Sequence, residues 1–393
     1  MGLSERITSA EVYRILNPSL RPTVVRLRTD AGTVGLGDTG VSYGAGTEAM
    51  PPLLAELLRT AVLGRPLSAR HEILLELTYG TFWAKRAGSL FAGAVSAIDQ
   101  ALHDAAARAL GVPLHELLGG RVHTRLPVYA NGWYFGQHSE EDRLTAARRV
   151  VADGHRALKT YPLVRQDEEQ RLRHPSPARW DSALLRSAID HVRRLRERVG
   201  DDVRLMVDLG GCVPRDHAPE LLGALRDLGV EFAEEPFDPA DESSLHWLPT
   251  PAPVPVATGE RLTGLAAFDR VLRTGAVSII QPDVCLAGGH GVFQSVAALA
   301  RGHSIRVSPH NCSSGIGTAH TVQAAAAVPN LHSVETFPYL SAVPGYREIL
   351  TDPLEPRIEA GLLTVPDRPG IGVDLDDTVA SAFLVKRLKE RHI

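Results

Sequence analysis

The strongest constraint on the fold is a regular alternation between short apolar runs and amphipathic helical stretches, which begins after Arg121. Parallel strands need crossover connections, usually helices, so this alternation predicts parallel strands joined by helices. Eight apolar runs fit the pattern over roughly 230 residues, as in a (β/α) barrel. The helix after the last run is poorly marked, so we expect a modified (β/α)7β barrel of the TIM type. The runs are residues 127–130, 157–159, 203–207, 232–234, 254–257, 277–281, 305–308 and 333–335.

The first part of the chain follows a different pattern. Polar and apolar residues alternate between residues 12 and 41, which is typical of an antiparallel meander. Helical periodicity follows from residue 47 to 118, including an Ala-rich stretch at 92–110. An antiparallel sheet followed by helices predicts a separate α+β capping domain. The expected fold class is therefore α/β, with a cap at 1–122, a barrel at 123–355, and a C-terminal segment at 356–393 that returns to the cap.

Charge and composition narrow the possible partners. The chain has 393 residues, 42 of them basic and 46 acidic, so there is no basic excess that would indicate nucleic acid. We find no apolar run of about 18 residues and no secretory signal, so we expect no membrane partner. Three cysteines form neither a metal-binding pattern nor a disulfide framework. This sparse set indicates a reducing compartment, and we expect a cytoplasmic protein.

Acidic residues end three consecutive strands of the predicted barrel. Asp208, Glu234 and Glu260 follow the third, fourth and fifth runs at intervals of 26 residues, which is one strand–helix unit. Active sites of such barrels lie at the carboxyl ends of the strands, so the three carboxylates should converge. A hard divalent cation would relieve their repulsion, and oxygen-only ligands favour Mg²⁺ or Mn²⁺ over zinc. We therefore predict a Mg²⁺ site at these three residues.

Other strand ends carry groups suited to proton transfer. Asp283 and His310 follow the sixth and seventh runs, and a carboxylate beside an imidazole raises its basicity, as a general base requires. Lys159 and Tyr161 follow the second run and share one face, because strand residues two apart point the same way. Glu335 ends the eighth run. We therefore predict that Asp283 and His310 serve in proton transfer, and we take Lys159, Tyr161 and Glu335 as candidate catalytic residues at the same end of the barrel.

Taken together, these residues resemble the mandelate racemase subgroup of the enolase superfamily, within the mandelate racemase/muconate lactonizing enzyme family. The resemblance extends over essentially the whole chain. It rests on the three acids, on the Asp283/His310 pair and on Gly288-Gly289, which follow that aspartate. It also includes the Gly35-Leu36-Gly37-Asp38 segment of the meander.

The resemblance implies a reaction and an arrangement of the site. The three acids would bind Mg²⁺ together with the substrate carboxylate, and Glu335 would donate a hydrogen bond to the other carboxylate oxygen. The α-proton would be removed to give an enediolate. Lys159 and Tyr161 would stand on one face of the substrate and His310 on the other. The capping domain would select the substrate, and a homo-oligomer is expected because relatives are commonly oligomeric.

Three positions depart from the family pattern. Tyr161 replaces a lysine that serves many relatives as a base, so we expect His310 to be the principal base or acid. Gly210 stands where many acid-sugar dehydratases have His or Asn, so a leaving-group acid is missing from that strand. Asp38 stands where relatives often have Glu, and we expect it to be structural.

The leading functional hypothesis is a lyase that dehydrates a sugar acid to a 2-keto-3-deoxy acid. A racemase, epimerase or cycloisomerase acting on a carboxylic acid is the alternative, and a non-catalytic metal-stabilised scaffold is a third. Trp133 and Tyr134 could bind substrate or pack under the cap. The cap loops at 16–23 and 41–47 are expected to set specificity. The charged insertion at 166–179 is expected to be a solvated loop near the site.

Overall fold

The computed structural model describes residues 2–15, 20–80, 82, 85, 88–137, 139–163, 165–166, 172–173, 175–176, 180–238, 242–249, 251–338, 346 and 348–390. Its strands are β1 Ile7–Arg14, β2 Thr23–Thr29, β3 Val34–Asp38, β4 Arg125–Ala130, β5 Ala157–Thr160, β6 Arg165–Gln166, β7 Leu172–Arg173, β8 Arg204–Asp208, β9 Val230–Glu234, β10 Val256–Thr258, β11 Ile279–Ile280, β12 Arg306–Val307, β13 Val334–Thr336, β14 Ile358–Glu359, β15 Leu362–Thr364 and β16 Leu384–Lys389. Its α-helices are α1 Met50–Leu57, α2 Arg70–Tyr79, α3 Gly88–Leu110, α4 Leu114–Leu117, α5 Glu140–Ala152, α6 Ser182–Val199, α7 Ala218–Asp227, α8 Glu242–Leu245, α9 Leu265–Arg273, α10 Gly289–Gly302, α11 Gly315–Ala326 and α12 Asp377–Ala380.

Eight parallel strands form the barrel. They stand in the order β4-β5-β8-β9-β10-β11-β12, and β13 pairs in parallel with β4. Between β12 and β13 the barrel is joined by hydrogen bonds that involve the residues next to these strands, among them His332 N to Val307 O at 2.7 Å and Ser308 Oγ to Ser333 O at 3.1 Å. The predicted barrel is confirmed, and each of the eight apolar runs overlaps one of its strands.

The inside of the barrel is filled with side chains. Tyr129, Met206 and Phe232 belong to one buried cluster contributed by the barrel strands. A larger buried cluster packs the surrounding helices against the outer faces of the strands. The interior is therefore a packed core, and polar chemistry is confined to the carboxyl ends of the strands.

The cap contains an antiparallel sheet in the order β16-β1-β2-β3, with helix α3 packed closely against β3. A Cβ atom at Gly37 would lie only 2.0 Å from the carbonyl oxygen of Ala97, so this approach requires a glycine. The C-terminal strand β16 pairs with β1, as expected for a segment that returns to the cap.

Two features were not foreseen in the sequence. Before it reaches the cap, the C-terminal segment forms the β14–β15 hairpin, and β15 adds to β4 in antiparallel orientation. Within the insertion predicted as a loop, β6 and β7 pair as a short hairpin. Residues 167–171, 174 and 177–179 of that insertion, and residues 16–19 of one predicted cap loop, lie outside the described residues. None of the helices in the described ranges has the length and apolarity needed for a membrane span.

Candidate active site

Three carboxylates converge at the carboxyl ends of β8, β9 and β10. One oxygen of each of Asp208, Glu234 and Glu260 lies within 4.8 Å of the others. Asp208 and Glu234 are paired residues in the parallel ladder between β8 and β9, and both are fully buried. Glu260 follows β10 and is partly exposed. The even spacing in the sequence therefore corresponds to neighbouring strand ends that bring these acids together.

The electrostatics of this cluster fit a divalent cation. Asp208 Oδ1 accepts a hydrogen bond from Gly210 N at 2.8 Å, whereas the buried Oδ2 has no hydrogen-bond partner within the described ranges. Burial and the charge of Glu234 raise the pKa of Asp208 well above its usual value. Burial and neighbouring acids raise the pKa of Glu260 to about 8. A hard cation would stabilise the ionised forms of all three, and oxygen-only ligands suit Mg²⁺.

Lys159 extends from β5 into the acids. Its Nζ lies 2.8 Å from both carboxylate oxygens of Glu234, 2.8 Å from Glu335 Oε1 and 3.7 Å from Asp208 Oδ2. Burial alone would lower the pKa of Lys159, but the charges of Glu234 and Glu335 outweigh it and raise the pKa well above its usual value. The ammonium group therefore provides a fixed positive charge beside Glu234, Asp208 and Glu335.

Glu335 is held by donors from three strand ends. Its Oε1 accepts a hydrogen bond from Asn131 Nδ2 at 2.7 Å, in addition to the Lys159 ion pair. Its Oε2 accepts from Asn311 N at 3.0 Å. Every one of these partners is a donor, so both oxygens of Glu335 accept hydrogen bonds within the protein. The predicted role of Glu335 as a donor to substrate stays a prediction.

His310 and Asp283 form the predicted pair. His310 Nδ1 lies 2.8 Å from Asp283 Oδ2, and Asp283 Oδ1 accepts from Cys285 N at 2.7 Å. The other ring nitrogen, Nε2, lies 3.3 Å from Glu260 Oε2 and therefore faces the acids. Burial alone would lower the pKa of His310, but Glu260, the Asp283 hydrogen bond and Glu335 together raise it to about 10. The side chain thus presents one nitrogen to the site while the other is oriented by a carboxylate.

Tyr161 lies on the Asp208 side of the site. Burial, then the charges of Asp208 and Glu260, raise the pKa of its phenol well above 10. Hydrogen bonding by this hydroxyl to Asp208 lowers the pKa of that acid and so offsets part of its increase.

The two predicted substrate-binding aromatics lie just beyond β4. Trp133 is buried, and its indole Nε1–H donates to the carbonyl oxygen of Lys159 at 2.9 Å. Tyr134 packs edge-on against it and donates to Asn131 Oδ1 at 3.2 Å. Trp133 therefore orients the strand that carries Lys159. Burial, and then the charge of Asp208, raise the pKa of the Tyr134 phenol well above its usual value.

Several polar residues of the site were not identified from the sequence. Gln281 Nε2 donates to Glu234 Oε2 at 2.7 Å, and Asn131 and Asn311 hold Glu335. Gln281 and Asn131 directly follow the barrel strands β11 and β4, so position alone could have drawn attention to them, whereas Asn311 lies in the loop after β12. Glu235 has φ of 39°, a left-handed conformation unusual for this residue, and the Arg261 guanidinium holds it at 2.8 and 2.7 Å.

Two family models match the chain. Residues 19–119 match the mandelate racemase/muconate lactonizing enzyme N-terminal domain, and residues 142–379 match the enolase C-terminal domain-like model. The chain belongs to the enolase superfamily, in the mandelate racemase/muconate lactonizing enzyme family.

Relatives with a named activity include a D-gluconate dehydratase from Thermoproteus tenax, which is 35% identical over 88% of this chain and 68% of its own length. A 3,6-anhydro-α-L-galactonate cycloisomerase from Streptomyces coelicolor is 30% identical over 90% of this chain and 88% of its own length. Among solved structures, a proposed dehydratase from Mesorhizobium loti is 32% identical, with a TM-score of 0.93 over 98% of this chain and all of that one.

Proposed function

We propose that this protein is a Mg²⁺-dependent lyase of the mandelate racemase subgroup that dehydrates a sugar acid to a 2-keto-3-deoxy acid. The observation that carries the proposal is the convergence of three carboxylates between Lys159 and the His310–Asp283 pair. The D-gluconate dehydratase relative supports a sugar acid as the substrate class.

Asp208, Glu234 and Glu260 are the residues that would hold the cation. When bound, Mg²⁺ supplies positive charge that stabilises the negative charge developing on the substrate carboxylate. Lys159 adds a second positive charge, already oriented by its contacts at 2.8 Å with Glu234 and Glu335. A preorganised donor of this kind is typically worth about 3–4 kcal/mol in the transition state.

His310 is proposed as the group that moves the proton. Its Nδ1–H donates to Asp283, a tautomer inferred from the hydrogen bond. The charge of Glu260 contributes most to the raised pKa of His310, and a bound cation would neutralise it, so that Nε2 could accept the α-proton. The Cα–H bond breaks and its electron pair moves onto the carboxylate. The same Nε2–H then protonates the departing β-hydroxyl, because Gly210 offers no side chain for this step. The electron pair returns to form a Cα–Cβ double bond as the Cβ–O bond breaks, and water leaves. The resulting enol then tautomerises: Cβ gains a proton and the enol hydroxyl loses one, which gives the 2-keto-3-deoxy acid.

Tyr161 and Lys159 approach the acids from the β5 side, and we propose that they act as a donor and a fixed charge. The phenol of Tyr161 has a raised pKa and therefore favours its neutral form, which donates but does not accept a proton readily. The tight ion pairs of Lys159 keep its ammonium charged. Because neither Tyr161 nor Lys159 accepts a proton readily in these states, we propose His310 as the base.

The experiment that tests this proposal is an assay of the purified protein with Mg²⁺ against a panel of sugar acids, with detection of 2-keto-3-deoxy products. We expect turnover of at least one sugar acid and its loss in His310→Asn, with Mg²⁺ binding retained. His303→Asn is the matched control, because His303 is exposed at the end of α10. Unchanged turnover in His310→Asn would show that the base is assigned wrongly, and inactivity on every sugar acid with turnover of another carboxylate would exclude the dehydratase.

A cycloisomerase or a racemase is the second candidate, and the Streptomyces coelicolor relative favours the former. These reactions return a proton to carbon rather than expel a hydroxyl. Reaction in D₂O separates the candidates: an epimerase incorporates solvent deuterium into both epimers of recovered substrate, whereas the proposed dehydratase releases water and forms a keto product.

Three further expectations belong to the same proposal. Trp133 and Tyr134 remain proposed contacts to substrate, and the domain boundaries at residues 122 and 355 remain predictions. A homo-oligomer is also proposed, and light scattering of the purified chain measures its mass directly.

A further inference from the structure

The segment from His310 to Ser314 is held almost entirely by side chains. Strand β12 ends at Val307, and helix α11 begins at Gly315. Across the part of the chain that the structure describes, no backbone–backbone hydrogen bond joins residues 309–313 to a neighbouring strand. On the barrel side, Asn311 N donates to Glu335. The position of the His310 ring therefore depends on whatever holds the other side of this segment.

The cap holds that other side through Asp38 at the end of β3. Asp38 Oδ1 accepts from Ser313 Oγ at 2.7 Å, and Oδ2 accepts from Ser314 N at 2.9 Å and from Ser314 Oγ. Ser42, also from the cap, donates from its hydroxyl to the Cys312 carbonyl oxygen at 2.9 Å. Asp38 Oδ1 also accepts from Gly40 N at 3.1 Å. Asp38 is fully buried, and each of its oxygens receives a backbone N–H, which can only donate, so both positions must be acceptors.

The cap also reaches the Asp283 side of the pair. Gln100, from helix α3, accepts from Asp38 N at 3.1 Å and donates from Nε2 to Asp38 O at 2.9 Å. The same Nε2 lies 3.3 Å from Val284 O, in the residue after Asp283. Two cap elements joined by these hydrogen bonds, β3 and α3, thus contact the two segments that meet in the His310–Asp283 hydrogen bond.

We propose that Asp38 is a positioning residue for the His310–Asp283 pair, and that the cap thereby takes part in proton transfer as well as in covering the site. The inference rests on the proposed function of His310. Asp38 touches no reacting atom; it acts through Ser313 and Ser314. A displacement of about 1 Å in a catalytic group can cost on the order of 100-fold in rate, so we expect a large effect on kcat.

The test compares Asp38→Asn with Asp104→Asn. The amide in Asp38→Asn keeps the shape of the side chain but replaces an acceptor oxygen with a donor. Asp104 is an equally buried cap acid that accepts from Leu36 N and Ile371 N at 2.9 Å each, and its described contacts lie in the cap and the C-terminal segment. It therefore controls for the loss of a buried carboxylate as such.

Two readouts report on positioning. In kinetics with Mg²⁺ and the sugar acid turned over, we expect Asp38→Asn to lower kcat by about 10- to 100-fold with KM within about two-fold, and Asp104→Asn to leave kcat unchanged. In ¹⁵N-histidine-labelled protein, we expect the His310 Nδ1–H signal, assigned by its loss in His310→Asn, to broaden or shift in Asp38→Asn only. Combining Asp38→Asn with Ser313→Ala should reduce kcat by less than the product of the single effects.

The proposal is overturned if Asp38→Asn lowers Tm as Asp104→Asn does but leaves both kcat and the His310 signal unchanged. A different result identifies a failure of the proposed function instead: Asp38→Asn disturbs the His310 signal while His310→Asn retains full turnover. In that case the cap positions the pair, but the pair is not the proton-transfer group.

Discussion

Replacement of Lys159 by methionine tests the electrostatic design of the site in the absence of any substrate. Methionine has a similar length and removes the charge. In the structure the ammonium group has contacts of 2.8 Å with Glu234 and Glu335, and all three side chains are fully buried. Lys159→Met therefore leaves the two buried carboxylates of Glu234 and Glu335 without the ammonium group that pairs with them.

The size of the effect follows from these contacts. Breaking a buried ion pair by removing one partner typically costs about 3–5 kcal/mol, because an uncompensated charge remains in a medium of low polarity. We expect this loss in the free energy of unfolding when EDTA is present. Mg²⁺ should then stabilise the variant more than the native protein, because the ammonium no longer competes with the ion for Glu234 and Asp208.

The assay is urea unfolding of both proteins in EDTA and in excess Mg²⁺, with Lys386→Met as the control. Lys386 is exposed on β16, and its replacement should change the free energy of unfolding by no more than about 0.5 kcal/mol. The expected result is that the native protein has a higher free energy of unfolding than Lys159→Met, and that this difference becomes smaller when Mg²⁺ is added. Equal stability in EDTA, or a gap that widens with Mg²⁺, would refute the reasoning.

Three other predictions concern the site, the packing of the cap and the response to pH. Tyr161→Phe removes a donor near Asp208 and should lower kcat by about 100-fold with Mg²⁺ affinity retained, measured by steady-state kinetics and calorimetry; unchanged kcat would remove Tyr161 from the mechanism. Gly37→Ala places a Cβ within 2.0 Å of a carbonyl oxygen of α3 and should lower the free energy of unfolding by at least about 2 kcal/mol. Gly223→Ala, in open space on α7, should raise it by up to about 1 kcal/mol. Thermal unfolding measures both changes, and similar effects in the two variants would contradict the packing argument. Burial lowers the pKa of His290 to about 3 and that of His320 well below its usual value. The unfolded chain therefore takes up protons at these residues below about pH 6.5 while the folded protein does not, and the free energy of unfolding falls with the pH. The expected decrease is about 1.4 kcal/mol for each group between pH 7.5 and 5.5. Urea unfolding at both pH values should show a smaller pH dependence in the double variant His290→Gln/His320→Gln, and an equal dependence would contradict the assignment.

The barrel and the convergence of the three acids could be predicted because their signals are local and repeated. Asp208, Glu234 and Glu260 each end an apolar run, and the intervals of 26 residues equal one strand–helix unit. Parallel strands place such residues at one end of the barrel whatever the details of the connecting helices. The same reasoning brought His310 to Asp283, and the structure places them 2.8 Å apart.

The contacts that hold these groups depend on long-range geometry that no local pattern records. Lys159 was expected near a substrate face, but the structure shows that its ammonium also joins Glu234 to Glu335, which lies on the last strand of the barrel. That contact requires the barrel to close through the pairing of β13 with β4. Asp38 was expected to be structural, but its partners Ser313 and Ser314 lie more than 270 residues away in the chain. Only the docking of the cap on the barrel brings them together.

The most direct measurement is titration of MgCl₂ into EDTA-treated, dialysed protein by isothermal calorimetry, with Asp208→Asn in parallel. We expect uptake of about one ion per chain and a loss of at least about ten-fold in affinity in the variant, since a neutral amide replaces a charged carboxylate. Absence of Mg²⁺ uptake by the native chain, or equal affinity in the two proteins, would contradict it.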